Sequence, residues 1–130
     1  MKKSAIRREH RTTRRALRAT LRRRCASTRL TASCRRRPRS LATVAIAAGV
    51  TKDTAPGVAN GLRTVAKRLA VTPAEQARTR RTVAGGRARK TRTVSRFTLA
   101  QVGTLLGSYK PRKPEYVHAV ALIAAFATAA

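Results

Sequence analysis

Apolar and polar positions change period several times along this chain, and each change marks an element. Over residues 1–39 the pattern is thin, with Ile6, Thr13, Leu17 and Leu21 drawing a weak helical stripe through otherwise polar sequence. Such a segment reads as an arm, disordered or helical only on contact with a partner, with Ile6 to about Arg24 as its helical part. Pro38 closes it, because the residue before a proline is pushed out of helix. From Ser40 the pattern tightens. Leu41, Val44, Ala45 and Ala48 recur at helical spacing, Ser40 stands where it can cap them, and Gly49 can take the positive φ of a sharp stop. A second helix follows, capped at Thr51 or starting at Pro56, where proline is tolerated in the first turn. Val58, Leu62, Val65 and Leu69 then draw one apolar stripe at steps of four, three and four. Helix, glycine turn and longer helix over 40–69 form a helix-turn-helix-like hairpin.

After Ala70-Val71, the run Thr72-Pro73-Ala74-Glu75 has the form of a capping box, which predicts a helix over 73–80. Together with Val65–Leu69 it makes a second, overlapping helix-turn-helix pattern. From Arg80 to Phe97 the helical period disappears. Residues 81–97 read as a basic β-hairpin or loop turning at Gly85-Gly86, and such a hairpin would be the wing of a winged helix. Thr98-Leu99-Ala100-Gln101 is another capping box, opening a helix whose buried side is Leu99, Val102, Leu105 and Leu106. A basic loop, Tyr109 to Pro114, precedes a last helix with Tyr116, Val117, Val120, Ile123, Ala124 and Ala127 on one face. Residues 116–130 carry no formal charge, yet the helix is short of the roughly 20 residues that span a bilayer. It therefore reads as core or as the surface of a homodimer. The fold class expected is mainly α: a small helical domain over 40–130, with two C-terminal helices in 98–130, preceded by the basic arm.

Charge sharpens this picture. The chain carries 31 Lys and Arg against Glu9, Asp53, Glu75 and Glu115, a net charge of +27. Residues 1–39 alone hold 16 Lys or Arg and one acid, a net of +15. Self-repulsion at this density favours an expanded chain unless a polyanion neutralises it. Nucleic acid is the partner expected, since cations bind it by releasing condensed counterions without reading sequence. An anionic membrane is the rival polyanion. The bias to Arg, Ala, Thr, Val and Gly also matches a G+C-rich genome. With two Phe, two Tyr and no Trp, single-strand recognition by base stacking is disfavoured and the core must be small in volume.

Candidate chemistry is confined to binding. Four scattered acids assemble no catalytic carboxylate pair, and neither a phosphate loop nor a nucleophile with its base is visible, so no enzyme is expected. Cys25 and Cys34 lie without a neighbouring histidine and read as two reduced thiols, with no metal and no cofactor. Arg7, Arg8 and Arg11 interrupt any apolar stretch after Lys2-Lys3, so no secretory signal is expected and the location is cytoplasmic, on the nucleoid.

Ser40-Leu41, Val44-Ala45, Ala48-Gly49-Val50-Thr51, Thr54 and Asn60 match, in order and spacing, the helix-turn-helix signature of the lac repressor family, which this segment resembles. The similarity covers 40–60 of the 130 residues, and that family's hinge helix and sugar-binding domain have no counterpart in the sequence. It implies base-reading positions at Lys52, Asp53 and Gly57. The second half of the chain looks like small Arg/Ala-rich proteins of actinomycete plasmids and phages. Double-stranded DNA, or else RNA, is the partner expected. Lys52, Arg63, Lys67 and Arg68 would approach it from the hairpin. Arg22, Arg23, Arg24, Arg35, Arg36 and Arg37 would grip it from the arm, and Arg87, Arg89, Lys90 and Arg92 from the wing. Two functions fit: a helix-turn-helix regulator or maintenance factor of a mobile element, or a sequence-neutral binder that compacts DNA, joins ribosomes or packages a genome.

Overall fold

The computed structural model describes residues 2–82, 86 and 89–129, and the side chains of these except at 81, 82, 89 and 90. Two units form, Met1–Ala32 and Ser33–Ala130. Helix α1 runs Lys2–Arg36, followed by α2 (Leu41–Ala47), α3 (Ala55–Arg68), strands β1 (Glu75–Thr82) and β2 (Arg89–Arg96), then α4 (Leu99–Ser108) and α5 (Pro114–Thr128). Among the described residues the chain is thus mainly helical with one two-stranded antiparallel sheet.

The first unit is helical over a longer stretch than the weak stripe suggests. Its Thr hydroxyls turn back onto the helix, Thr12 and Thr13 donating to the Glu9 carbonyl, Thr20 to Ala16 and Thr28 to Arg24 at 2.7–3.1 Å. It buries no core of its own: Ile6, Leu17 and Leu21 are 51, 60 and 59% exposed. The arm, expected to run to residue 39, gives way to the second unit at Ser33. Cys34 is buried in that unit's core, and Arg39 is bridged to Phe97, its N–H donating to the Phe97 carbonyl at 3.1 Å and its carbonyl accepting from the Phe97 N–H at 2.9 Å.

The second unit is built around α3. Ala55, Val58, Ala59, Leu62, Val65 and Ala66 are all buried, against Leu41, Val44 and Ala45 of α2, Val102 and Leu105 of α4, and Ala119 and Ile123 of α5. Each fully buried Val, Leu or Ile contributes about 1.5–3 kcal/mol, so this cluster is what holds the unit. Ser40 caps α2 by accepting from the Thr43 N–H, and Gly49 turns the chain at φ 101°. Of the two starts expected for the second helix, the one at Pro56 is right to within a residue. Helix α3 begins at Ala55 with Thr54 at its cap and Pro56 in the first turn, while Thr51 bonds to Thr54 at 2.9 Å instead of capping. Leu69, expected on the buried stripe, is 41% exposed because α3 ends there and Ala70 takes φ 52°.

The helix expected over 73–80 is not formed: Glu75–Thr82 is strand β1. Its sequence offers Ala77 as its one apolar residue, so a helix there would have no face to bury. A hairpin instead sets Arg against Thr. Arg78 pairs with Thr93, Thr79 with Arg92, Arg80 with Thr91 and Thr82 with Arg89, while Glu75 opposes Arg96. That register spares most like charges from standing opposite one another, which would be destabilising. The Thr72 carbonyl, outside any helix, accepts from Gln101 Nε2 at 2.8 Å. The overlapping second helix-turn-helix pattern falls with that helix, and the hairpin starts at 75 instead of 81. Helix α4 has the capping box expected at Thr98 and Gln101. Helix α5 buries Ala119 and Ile123 and leaves Val117 51% exposed, so its inward face is rotated from the one expected.

Candidate nucleic-acid interface

Helix α3 has two flanks, and they do different things. On one, Gly57 and Gly61 stand a turn apart with no side chain. A Cβ on Gly57 would strike Tyr116 Oη, and one on Gly61 would come within 2.6 Å of the Tyr109 ring. The two glycines let both tyrosines lie against the helix. Arg68 belongs to this flank, its Nη2 donating to the Ser108 carbonyl at 3.1 Å, in an open hollow of about 700 Å³ shared with Gly61, Thr64, Tyr109 and Lys110. Burial pushes the Tyr109 hydroxyl pKa above its ordinary value, and neighbouring Tyr116 adds to this.

The other flank faces the hairpin. Half-buried Arg63 donates from Nη1 to Asn60 Oδ1 at 2.6 Å. Desolvation lowers its pKa, and the nearby positive charge of Arg92 on β2 lowers it further. Lys67, exposed, follows one turn along at the edge of a cleft of about 430 Å³ between α3 and the hairpin, lined also by Ala66, Val71, Thr72 and Phe97. Thus Arg63 and Lys67 share one flank, where the charge of Arg92 is felt at Arg63, whereas Arg68, expected to join them, lies on the far flank. Lys52 and Asp53 are exposed in the turn before α3.

The remaining basic residues are dispersed. Arg22, Arg23 and Arg24 are exposed on α1, where successive residues point about 100° apart; only Arg22 continues the stripe Arg7, Arg11, Arg14, Arg15, Arg18 and on to Arg29. Arg7, His10, Arg11 and Arg14 line a shallow hollow of about 330 Å³. In the second unit Arg35 lies over the Phe126 ring at 5.6 Å, Arg36 is exposed, and Arg37 donates to Ser33 Oγ at 3.4 Å. Arg87 lies outside the described residues, as do the side chains of Arg89 and Lys90, whose backbones belong to β2. Sequence reading passed over Asn60 as the partner of Arg63, and Arg78 and Arg80, exposed on β1. Their signal was the alternation of Arg with Thr.

Among the described residues Glu75 and Arg96, 3.5 Å apart, form the one ion pair, no three His, Cys, Asp or Glu gather into a metal site, and no helix is long and apolar enough to cross a membrane. Fold and site define a small, mainly helical chain whose cations are left largely without acidic partners. It matches no family model, no curated protein and no solved structure.

Proposed function

We propose that this chain is a small DNA-binding protein, a helix-turn-helix regulator or maintenance factor of a mobile element, acting in the cytoplasm on the nucleoid. The observation that carries the reading is that Arg63 and Lys67 of α3 line one cleft with Ser95 and Phe97 of the hairpin region that follows. The order α2, turn, α3, hairpin, with Arg39 bridged to Phe97 at the hairpin's base, is that of a winged helix, and supports the same reading. In it α3 approaches a major groove, the hairpin lies along the backbone, and the arginines of α1 add phosphate contacts. The exposed side of α5 around Val117 would pair two copies, as a two-fold operator requires.

One observation favours the sequence-neutral alternative. Gly57, a base-reading position by resemblance to the lac repressor family, faces Tyr116, and its neighbour Asp53 repels phosphate. Competition binding separates the two: a regulator keeps its operator against about a thousandfold excess of random duplex, and a charge binder loses it. Replacing Arg63 and Lys67 with Ala should weaken duplex binding without unfolding the chain, since neither belongs to the core. Undiminished affinity would remove α3 from the interface.

A further inference from the structure

We propose that the cleft between α3 and the hairpin is a binding site for a small apolar monocarboxylate, and that this acid competes with duplex for Arg63 and Lys67. The site stands on the cleft alone, whereas the competition rests on the reading above. The cleft holds about 430 Å³, within the roughly 300–1,000 Å³ of small-ligand pockets. Its wall is apolar at Ala66, Val71 and Phe97, and its charged members, Arg63 and Lys67, are both cations. Among the described residues no acid lines it: Glu75 is paired with Arg96, and Asp53 lies in the turn before α3. An apolar body with one negative end matches that division, whereas a sugar-phosphate backbone would leave the apolar wall unfilled.

Arg63 is prepared for a carboxylate. It is half-buried, and its Nη1 donates to Asn60 Oδ1 at 2.6 Å, which holds the guanidinium. Among the described residues its Nε and Nη2 have no hydrogen-bond partner, and these two form an edge that takes a carboxylate by two parallel bonds. Half-burial makes the bare cation costly, the sense in which its pKa is displaced, and an anion relieves that cost. Lys67, exposed one turn along, adds a second charge at the cleft edge. Ala70 is an independent sign. It lines the cleft at φ 52°, a left-handed position where helix ends ordinarily place glycine. Alanine there bears strain and adds a methyl to the apolar wall.

The test uses the full chain, with 1-naphthoate as probe, 1-naphthalenemethanol and acetate as controls, and ionic strength held constant. Naphthoate should raise the Tm of the wild type saturably. The alcohol, which lacks the charge, and acetate, which lacks the apolar body, should not. The rise should vanish in R63Q and in S95L and persist in R68Q, whose cation lies on the other flank of α3. Ser95 lines the cleft and its side chain makes no hydrogen bond among the described residues, so leucine there fills the cleft and leaves both cations in place. Duplex affinity of the wild type should fall on the order of tenfold in saturating naphthoate. That of S95L should be kept and should no longer respond. Equal Tm rises in the wild type, R63Q and S95L would overturn the site, and duplex binding by the same chain would leave the reading above in place. A rise confined to the wild type and R68Q, with duplex affinity unmoved by naphthoate, would overturn the competition. The same rise in a chain with no duplex affinity would uphold the site and remove that reading.

Discussion

Helices α1 and α3 are both basic and both helical, but they are helical for opposite reasons. Helix α3 hides six apolar residues and puts its cations on what remains, so its shape is held by the core whether or not a ligand is present. In the first unit the stripe Arg7, Arg11, Arg14, Arg15, Arg18, Arg22 and Arg29 runs about 33 Å at a rise of roughly 1.5 Å per residue, with no buried face behind it. Several of these stand four apart, and each such like-charge pair opposes the helix by about 0.2–0.5 kcal/mol. Isolated helices are marginal even without that opposition. Neutralisation by polyanion is thus worth more to the first unit than to the second. One composition yields a scaffold where apolar residues keep their period and a charge-bearing arm where they do not.

Deleting residues 1–32 should have the largest effect. If the seven stripe arginines each meet a phosphate, the salt slope becomes shallower by about 6, and affinity at low salt falls by several orders of magnitude. The remaining unit should keep its unfolding midpoint, because its core lies wholly within Ser33–Ala130. Circular dichroism of the full chain should gain helix on adding duplex, and the truncated chain should not. An unchanged slope would break the comparison at its root.

Leu62→Ala attacks the other side. Leu62 is 1% exposed at the centre of α3, and such a truncation costs about 2–5 kcal/mol. Denaturant unfolding should show that loss in the second unit, and with it the loss of the cleft that Arg63 and Lys67 line. The exposed thiol of Cys25 and the buried thiol of Cys34 report the two units separately. Alkylation of Cys25 should keep its rate, while Cys34, protected in the folded chain, should react faster as the second unit opens more often. Equal acceleration at both would mean that the units unfold together.

How much of this was legible beforehand follows the same division. The caps at Ser40 and Thr98, the stop at Gly49 and the stripe Val58, Leu62, Val65 were readable because each is a local pattern that the core then rewards. The strand at Glu75–Thr82 was hidden by a capping-box sequence with no apolar face behind it. Only cross-strand partners more than ten residues away, Thr91 and Thr93 among them, decide that element. The site was half visible. Arg63, Lys67 and Arg92 were candidates from charge and spacing, but the cleft that Arg63 and Lys67 line depends on how the hairpin returns to α3. Nothing local marks Gly57 and Gly61 as packing positions. Their purpose appears only when Tyr116 and Tyr109, about 50 residues further on, arrive against them.

The smallest expected effect is one of pH, and it too separates the units. Burial pushes the Cys34 thiol up, with the Arg39 charge partly offsetting it, and burial pushes the Tyr109 hydroxyl up with Tyr116 adding to it. Both groups lie in the second unit, and both are acids whose neutral form the fold prefers. Their contribution to stability is therefore complete below the unfolded values, about pH 8.5 for a thiol and about 10 for a phenol. It is lost as pH rises through the higher folded values, because the unfolded chain releases its protons first. The expected result is a decline in the second unit's unfolding midpoint beginning near pH 8.5 and steepening past 10, at up to about 1.4 kcal/mol per pH unit for each group. Cys34→Ala should remove the earlier part of that decline and Tyr109→Phe the later part, each leaving the other in place. A midpoint that stays level to pH 10.5 in the wild type would mean that neither group is withdrawn from water as the folded core places it.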